Sequence, residues 1–150
     1  MKIQSLRGMP DLFPEDLERW HYFESKLTYI FNSFNTLEIR TPLLESTELF
    51  SRSVGNSSDI VNKELYSFLD RNKESISLRP EGSASVIRAI IQKKQEHEKH
   101  KLWYQGPMFR YERPQKGRFR QFHQIGVEYL GFEEGVSEYE LISMVLQINQ

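Results

Sequence analysis

The chain has 150 residues, the size of one domain, and its 38% hydrophobic share is enough to build a core. Its net charge of −1 excludes a general attraction to nucleic acid or membrane, so any basic site must be local. The absence of cysteine excludes disulfides and thiolate chemistry and suits the cytoplasm.

"MKIQSLRGMPDLF" lacks the apolar stretch of a signal peptide, and no apolar run reaches the ~20 residues of a membrane span. Pro14 fits the first turn of a helix. Leu17, Trp20, Phe23, Leu27, Ile30, Phe31 and Phe34 follow at three- and four-residue steps. They predict one apolar helix face, either core or a subunit interface. "TLEIR" predicts a short strand that stops at Pro42, which has no N–H for a ladder. Asn56 heads an "NSS" acceptor pattern, set aside because no secretory signal accompanies it. "LYSFLD" and "SISLR" predict a hairpin turning at Arg71 to Glu74. "RPEG" predicts a turn. From Ser83 the spacing of Val86, Ile87, Ile90 and Ile91 predicts a helix. "KKQEHEKHK" reads as a solvated helix end or loop. His97 and His100 there sit among Glu and Lys, which suits a wet surface better than a zinc site. "KLWYQGPMFRYE" and "RFRQFHQIGVEYL" predict two strands joined by "RPQKG". A last helix is predicted from Ser137, with Glu140 closing a capping box. Hairpins dominate, so the expected fold is α+β, an antiparallel β-sheet flanked by helices.

The charge is concentrated in "GPMFRYERPQKGRFRQFHQIGVE", which holds Arg110, Arg113, Lys116, Arg118 and Arg120 against Glu112 and Glu128. Alternation along a strand places Arg118, Arg120, Phe122, Gln124 and Glu128 on one face, with a gap at Gly126. The first strand places Met108, Arg110 and Glu112 together. If the two polar faces align, one wall of sheet offers forked cations, an aromatic ring, an amide and two carboxylates. Arginines grip phosphate oxygens. Phe122 offers a stacking surface for a flat base. Gln124 and Glu128 accept hydrogen bonds from a cationic ligand, and Gly126 lets it lie near the backbone. ATP together with an amino acid carries both kinds of charge. The competing reading is a half-exposed strand whose aromatic and charged residues pair across the sheet. His123, on the other face, is expected to be packed and hydrogen-bonded. No glycine-rich phosphate loop occurs, so side chains would have to hold ATP.

Together these stretches resemble the N-terminal part of the class II aminoacyl-tRNA synthetases, and specifically the histidyl-tRNA synthetase family. "IRTPLLESTELFSRSVG" resembles motif 1, "SLRPEGS" the histidine-binding turn, and "GPMFRYERPQKGRFRQFHQIGVE" motif 2. The resemblance implies an α-phosphate-binding, catalytic role for Arg110. It implies ATP-binding roles for Glu112 near the adenine, Arg118 at the distal phosphates and Phe122 stacked on adenine. It assigns Glu81, Gly82, Ser83 and Gln124 to the histidine α-ammonium end, and Glu128 to the imidazole N–H. Ser83 stands where the family commonly has threonine, keeping the hydroxyl. Pro42 is implied at the dimer interface of a homodimer.

The implied reaction is ATP- and Mg2+-dependent activation of histidine, followed by transfer to tRNA(His), in the cytoplasm and without a membrane. The family's motif 3 and anticodon-binding domain are not found in these 150 residues. The chain is therefore expected to be the N-terminal part of a class II catalytic domain, inactive alone. The alternatives are a non-catalytic, synthetase-like regulatory subunit of histidine biosynthesis, an RNA-binding hairpin with strongly salt-dependent affinity, and a truncated chain that folds poorly.

Overall fold

The computed structural model describes residues 3–54, 60–113, 115, 117–133 and 135–149. Asn56 and Lys116 lie outside them. The chain divides into two compact units, and the division falls inside two long strands.

The first unit comprises Met1–Pro10, Arg40–Gln95 and Gln105–Gly126. Its sheet is fully antiparallel and runs β2 (Leu44–Ser46), β4 (Ser75–Leu78), β3 (Ser67–Leu69). Glu45 pairs with Ser77, and Ser77 in turn with Ser67. The hairpin between β3 and β4 turns where expected. Asp70 Oδ1 accepts the N–H groups of Asn72 and Glu74 at 2.8 and 2.9 Å, the local bonding that favours Asp in turns. Helix α2 (Thr47–Val54) and a π-helical turn (Ile60–Glu64) lie between β2 and β3, and were not expected. Helix α3 (Ser83–Gln92) follows the "RPEG" turn and buries Ala84, Val86 and Ile90. Phe50 joins them in the core, along with Met108 and Phe109. Arg88 pairs with the buried Glu45 carboxylate at 2.8 Å and fastens α3 to β2.

The second unit comprises Asp11–Ile39, Glu96–Tyr104 and Val127–Gln150. Helix α1 (Pro14–Ser33) starts with Pro14, and Asp16 accepts the Phe13 N–H at 3.3 Å. Only the C-terminal half of its apolar face is buried, at Leu27, Ile30 and Phe31. Leu12, Trp20 and Phe23 line a shallow surface pocket instead. Strand β1 (Leu37–Glu38) runs parallel to β5 (His100–Phe109), with Leu37 opposite Leu102. The sheet order is β1-β5-β6, where β6 is Gln121–Leu130, so the expected α+β fold stands and the two-residue β1 adds a parallel pairing to it. Phe31 packs on Trp103 with ring centroids 4.9 Å apart.

Helix α4 (Val136–Ile148) begins one residue before the expected Ser137. Its capping pair is Gly135 N–H with Glu138, in place of Ser137 with Glu140. Ser137 donates to the Glu133 carbonyl at 2.8 Å. Glu140 is taken by Lys101 Nζ at 2.7 Å, a partner no local pattern announces.

Candidate functional site

The site is built where β5 ends, and its parts come from three stretches of the first unit. The strands are shorter than expected. β5 stops at Phe109 and β6 starts at Gln121, so Arg110, Glu112, Arg118 and Arg120 belong to the connection and not to a flat sheet face. The supposed wall is corrected in another respect: Met108, placed there by alternation, is fully buried in the core. His123, expected packed, is exposed.

The connection is fastened at several points. Arg110 N–H donates to the Arg120 carbonyl at 2.9 Å and closes the hairpin stem. Tyr111 N–H donates to the Glu64 carbonyl at 2.7 Å, and the Tyr111 ring meets Tyr66 edge-on. Arg120 stacks on Tyr111, 4.0 Å from its centroid, and donates from Nε to the Glu112 carbonyl at 3.1 Å. The Gly8 carbonyl accepts the N–H groups of both Arg120 and Gln121, at 2.8 and 3.1 Å. Gly8 has φ +80°, a turn conformation that costs glycine nothing.

Within this frame the Arg110 guanidinium is held on two sides. Its Nε donates to the Pro80 carbonyl at 2.9 Å, and its Cζ lies 5.2 Å from the Phe122 ring centroid. Its two Nη groups have no hydrogen-bond partner among the described residues, so a planar fork of donors is left for an anion. Phe122 and Gln124 share a face of β6 by alternation. Gln124 Oε1 is buried without a hydrogen-bond partner among the described residues. An unpaired buried acceptor costs about 1–3 kcal/mol, so it invites an N–H donor.

The turn that holds Arg110 also carries the residues read as the amino-acid end. The Glu81 carboxylate accepts the N–H groups of Ser83 and Ala84, at 2.6 and 3.1 Å, across the N-terminus of α3. The helix dipole favours its charge there. Gly82 is buried and Ser83 half-buried beside it. On the connection, Arg118 Nη1 pairs with Glu112 at 3.3 Å, the arginine largely exposed and the carboxylate mostly covered. Glu128 has the parity of Gln124 but belongs to the second unit. Pro42 is exposed.

Sequence reasoning missed Arg79, which is 3% exposed and donates to Thr41 and Pro107. Its partners include the backbone carbonyls of Thr41 and Pro107, which no side-chain pattern reveals. Among the described residues no three His, Asp or Glu side chains gather to hold a metal.

A fork of cationic donors beside a ring, an unpaired amide oxygen and a fixed carboxylate can receive a phosphate, a flat base and an ammonium. The family profile described as histidyl-tRNA synthetase matches residues 8–150. The chain belongs to the histidyl-tRNA synthetase family. A histidine–tRNA ligase of Staphylococcus aureus (strain JH9) is 50% identical over 99% of this chain and 36% of its own length. A chloroplastic histidine–tRNA ligase of Pyropia yezoensis is 45% identical over 98% of this chain. The chain spans 35% of that relative, about a third of a synthetase. The crystal structure of apo S. aureus histidyl-tRNA synthetase superposes with a TM-score of 0.83 at 40% identity, over 98% of this chain and 34% of that one. A Bacillus halodurans structure described as an ATP phosphoribosyltransferase regulatory subunit/histidyl-tRNA synthetase has a TM-score of 0.81 at 25% identity, over 97% of this chain and 37% of that one. The α+β architecture is that of these synthetase structures. No helix of the described residues is long and apolar enough to cross a membrane.

Proposed function

We propose that the protein containing these residues is a histidine–tRNA ligase. The histidine carboxylate attacks the α-phosphorus of ATP and pyrophosphate leaves. The 3′-terminal ribose hydroxyl of tRNA(His) then takes the histidyl group. The observation that carries this reading is the Arg110 guanidinium, fixed by Pro80 and Phe122 with its Nη fork open among the described residues. Such a fork neutralises charge on a reacting phosphate, and positioning with charge neutralisation is most of what phosphoryl chemistry asks of a protein.

In this reading Phe122 stacks on adenine, Glu112 lies near it, and Arg118 leaves Glu112 for the distal phosphates. Glu81, Gly82, Ser83 and Gln124 receive the histidine ammonium end, and Glu128 the imidazole N–H. Mg2+ enters on the triphosphate as part of the substrate. The protein acts as a cytoplasmic homodimer with Pro42 at the interface. The 150 residues form the N-terminal part of a class II catalytic domain and are inactive alone.

A regulatory subunit of histidine biosynthesis is the weaker reading. Arg110, Glu112, Arg118 and Phe122 are all kept, and the relatives named as ligases are 45–50% identical against 25% for the structure with the double description.

The test is histidine-dependent exchange of labelled pyrophosphate into ATP by the full-length protein. Exchange with histidine and with no other amino acid is expected. ATP binding without exchange would favour the regulatory reading.

A further inference from the structure

We infer that Arg79 is a positioning residue for activation, acting through Arg110. This rests on the reading that Arg110 grips the reacting phosphate. Arg79 heads the turn whose next carbonyl, at Pro80, holds Arg110 Nε at 2.9 Å. Its own carbonyl accepts the N–H of Phe109, the residue before Arg110, at 2.9 Å. Its N–H reaches the Leu43 carbonyl at 2.9 Å. The turn is therefore stitched to the end of β5 by backbone and side chain together.

The guanidinium completes the brace. Nε donates to the Pro107 carbonyl at 3.1 Å, and Nη1 to the Thr41 carbonyl and hydroxyl at 3.1 and 3.0 Å. One rigid planar group thus sets the spacing of three chain segments. A lysine offers a point charge and cannot reproduce that fork. Room for the fork comes from Gly106. A Cβ there would lie 2.5 Å from Arg79 Nη2, and its φ of +149° is one that L side chains rarely adopt. Arg79 and Gly106 form one device: the glycine clears the space and the arginine fills it. A shift of this brace moves the Pro80 carbonyl, and Arg110 Nε with it.

The test uses the full-length protein as wild type, Arg79→Lys and Gly106→Ala, each also combined with Arg110→Lys. Histidine-dependent pyrophosphate exchange is resolved into kcat and the KM values for ATP and histidine, beside a thermal melt. Both single variants are expected to melt cooperatively and to lose about 100-fold in kcat, the scale of a 1 Å misplacement. Their KM values stay within about threefold, because an interaction made in the transition state shows in kcat. In the Arg110→Lys background the further loss is expected to be under about threefold, since the effect passes through a group already altered. If one variant fails to fold, the other decides.

Wild-type kcat in the folded variants overturns the inference and leaves the ligase reading intact. A full, additive loss in the Arg110→Lys background overturns it too, because Arg79 would then act independently of Arg110. A wild-type protein without exchange overturns the ligase reading and the inference together.

Discussion

Arg110 and Pro80, thirty residues apart in the chain, are joined by a 2.9 Å hydrogen bond from the guanidinium Nε to the carbonyl. The arginine read as gripping ATP is thus tethered to the turn read as gripping histidine. In the proposed reaction these two ligands must meet at one phosphorus atom, and the bond fixes one receptor against the other. Removing the Arg110 charge should cost about 3–4 kcal/mol of transition-state stabilisation, by analogy with a lost oxyanion donor. Arg110→Ala in the full-length protein is therefore expected to lower pyrophosphate exchange by ~10²–10³-fold. A rate near that of the wild type would remove Arg110 from its role.

Glu81 does two jobs that substitution can separate. As an acceptor for Ser83 and Ala84 N–H it caps α3. As a carboxylate it is proposed to hold the histidine ammonium. Glu81→Gln keeps one acceptor oxygen and loses the charge, so the melting temperature should fall less than in Glu81→Ala while the KM for histidine rises. Glu81→Ala should lose both, with a capping cost of about 1 kcal/mol. Equal histidine KM values in Glu81→Gln and wild type would confine the residue to capping.

Gln124 Oε1 is buried and unpaired among the described residues, so the free protein carries its desolvation. Gln124→Met removes that cost at similar volume. It is expected to raise stability by about 1 kcal/mol while weakening histidine binding. Denaturant melts read the first effect and the KM for histidine the second. A destabilised variant would mean that Gln124 holds the free fold together.

Arg118 and Glu112 form a pair with one largely exposed partner. Such pairs contribute about 0–1 kcal/mol, so Arg118→Ala should melt as the wild type does. If Arg118 turns to the distal phosphates, the KM for ATP rises and that for histidine stays. An unchanged KM for ATP would leave Arg118 as surface charge.

Glu128 supplies the test of amino-acid choice. A site built around a polar partner rejects ligands that lack it, because its own group is then left unpaired. Glu128→Ala should damage histidine use far more than ATP binding, read as separate KM values. Equal losses would count against its assignment.

The long elements are legible in the sequence because their periodicity is. Leu27, Ile30 and Phe31 announce α1, Val86 and Ile90 announce α3, and Asp70 to Glu74 announces the hairpin turn. Helix α2 is not legible: it is eight residues long, and among those whose burial is described Phe50 alone is fully buried. The parallel partnership of β1 with β5 is also hidden, because a two-residue strand carries no mark of its distant neighbour. At the site, alternation applies to Phe122 and Gln124, which both lie in β6. It fails at Arg110 and Glu112, because β5 ends at Phe109 and the chain leaves the pleat there. Burial in β5 comes in adjacent pairs, Trp103 with Tyr104 and Met108 with Phe109, so both faces are covered and parity no longer separates inside from outside.

The Gly8 carbonyl that receives Arg120 and Gln121 makes the segment around Gly8 a tie-rod for the connection carrying Arg118. A variant lacking residues 1–9 would remove that rod. Two half-buried N–H groups at the entry to β6 would be released, at about 1 kcal/mol each. Such a variant is expected to lose affinity for ATP while its core still melts cooperatively, a loss that belongs to the missing rod and not to the residues proposed to bind ATP.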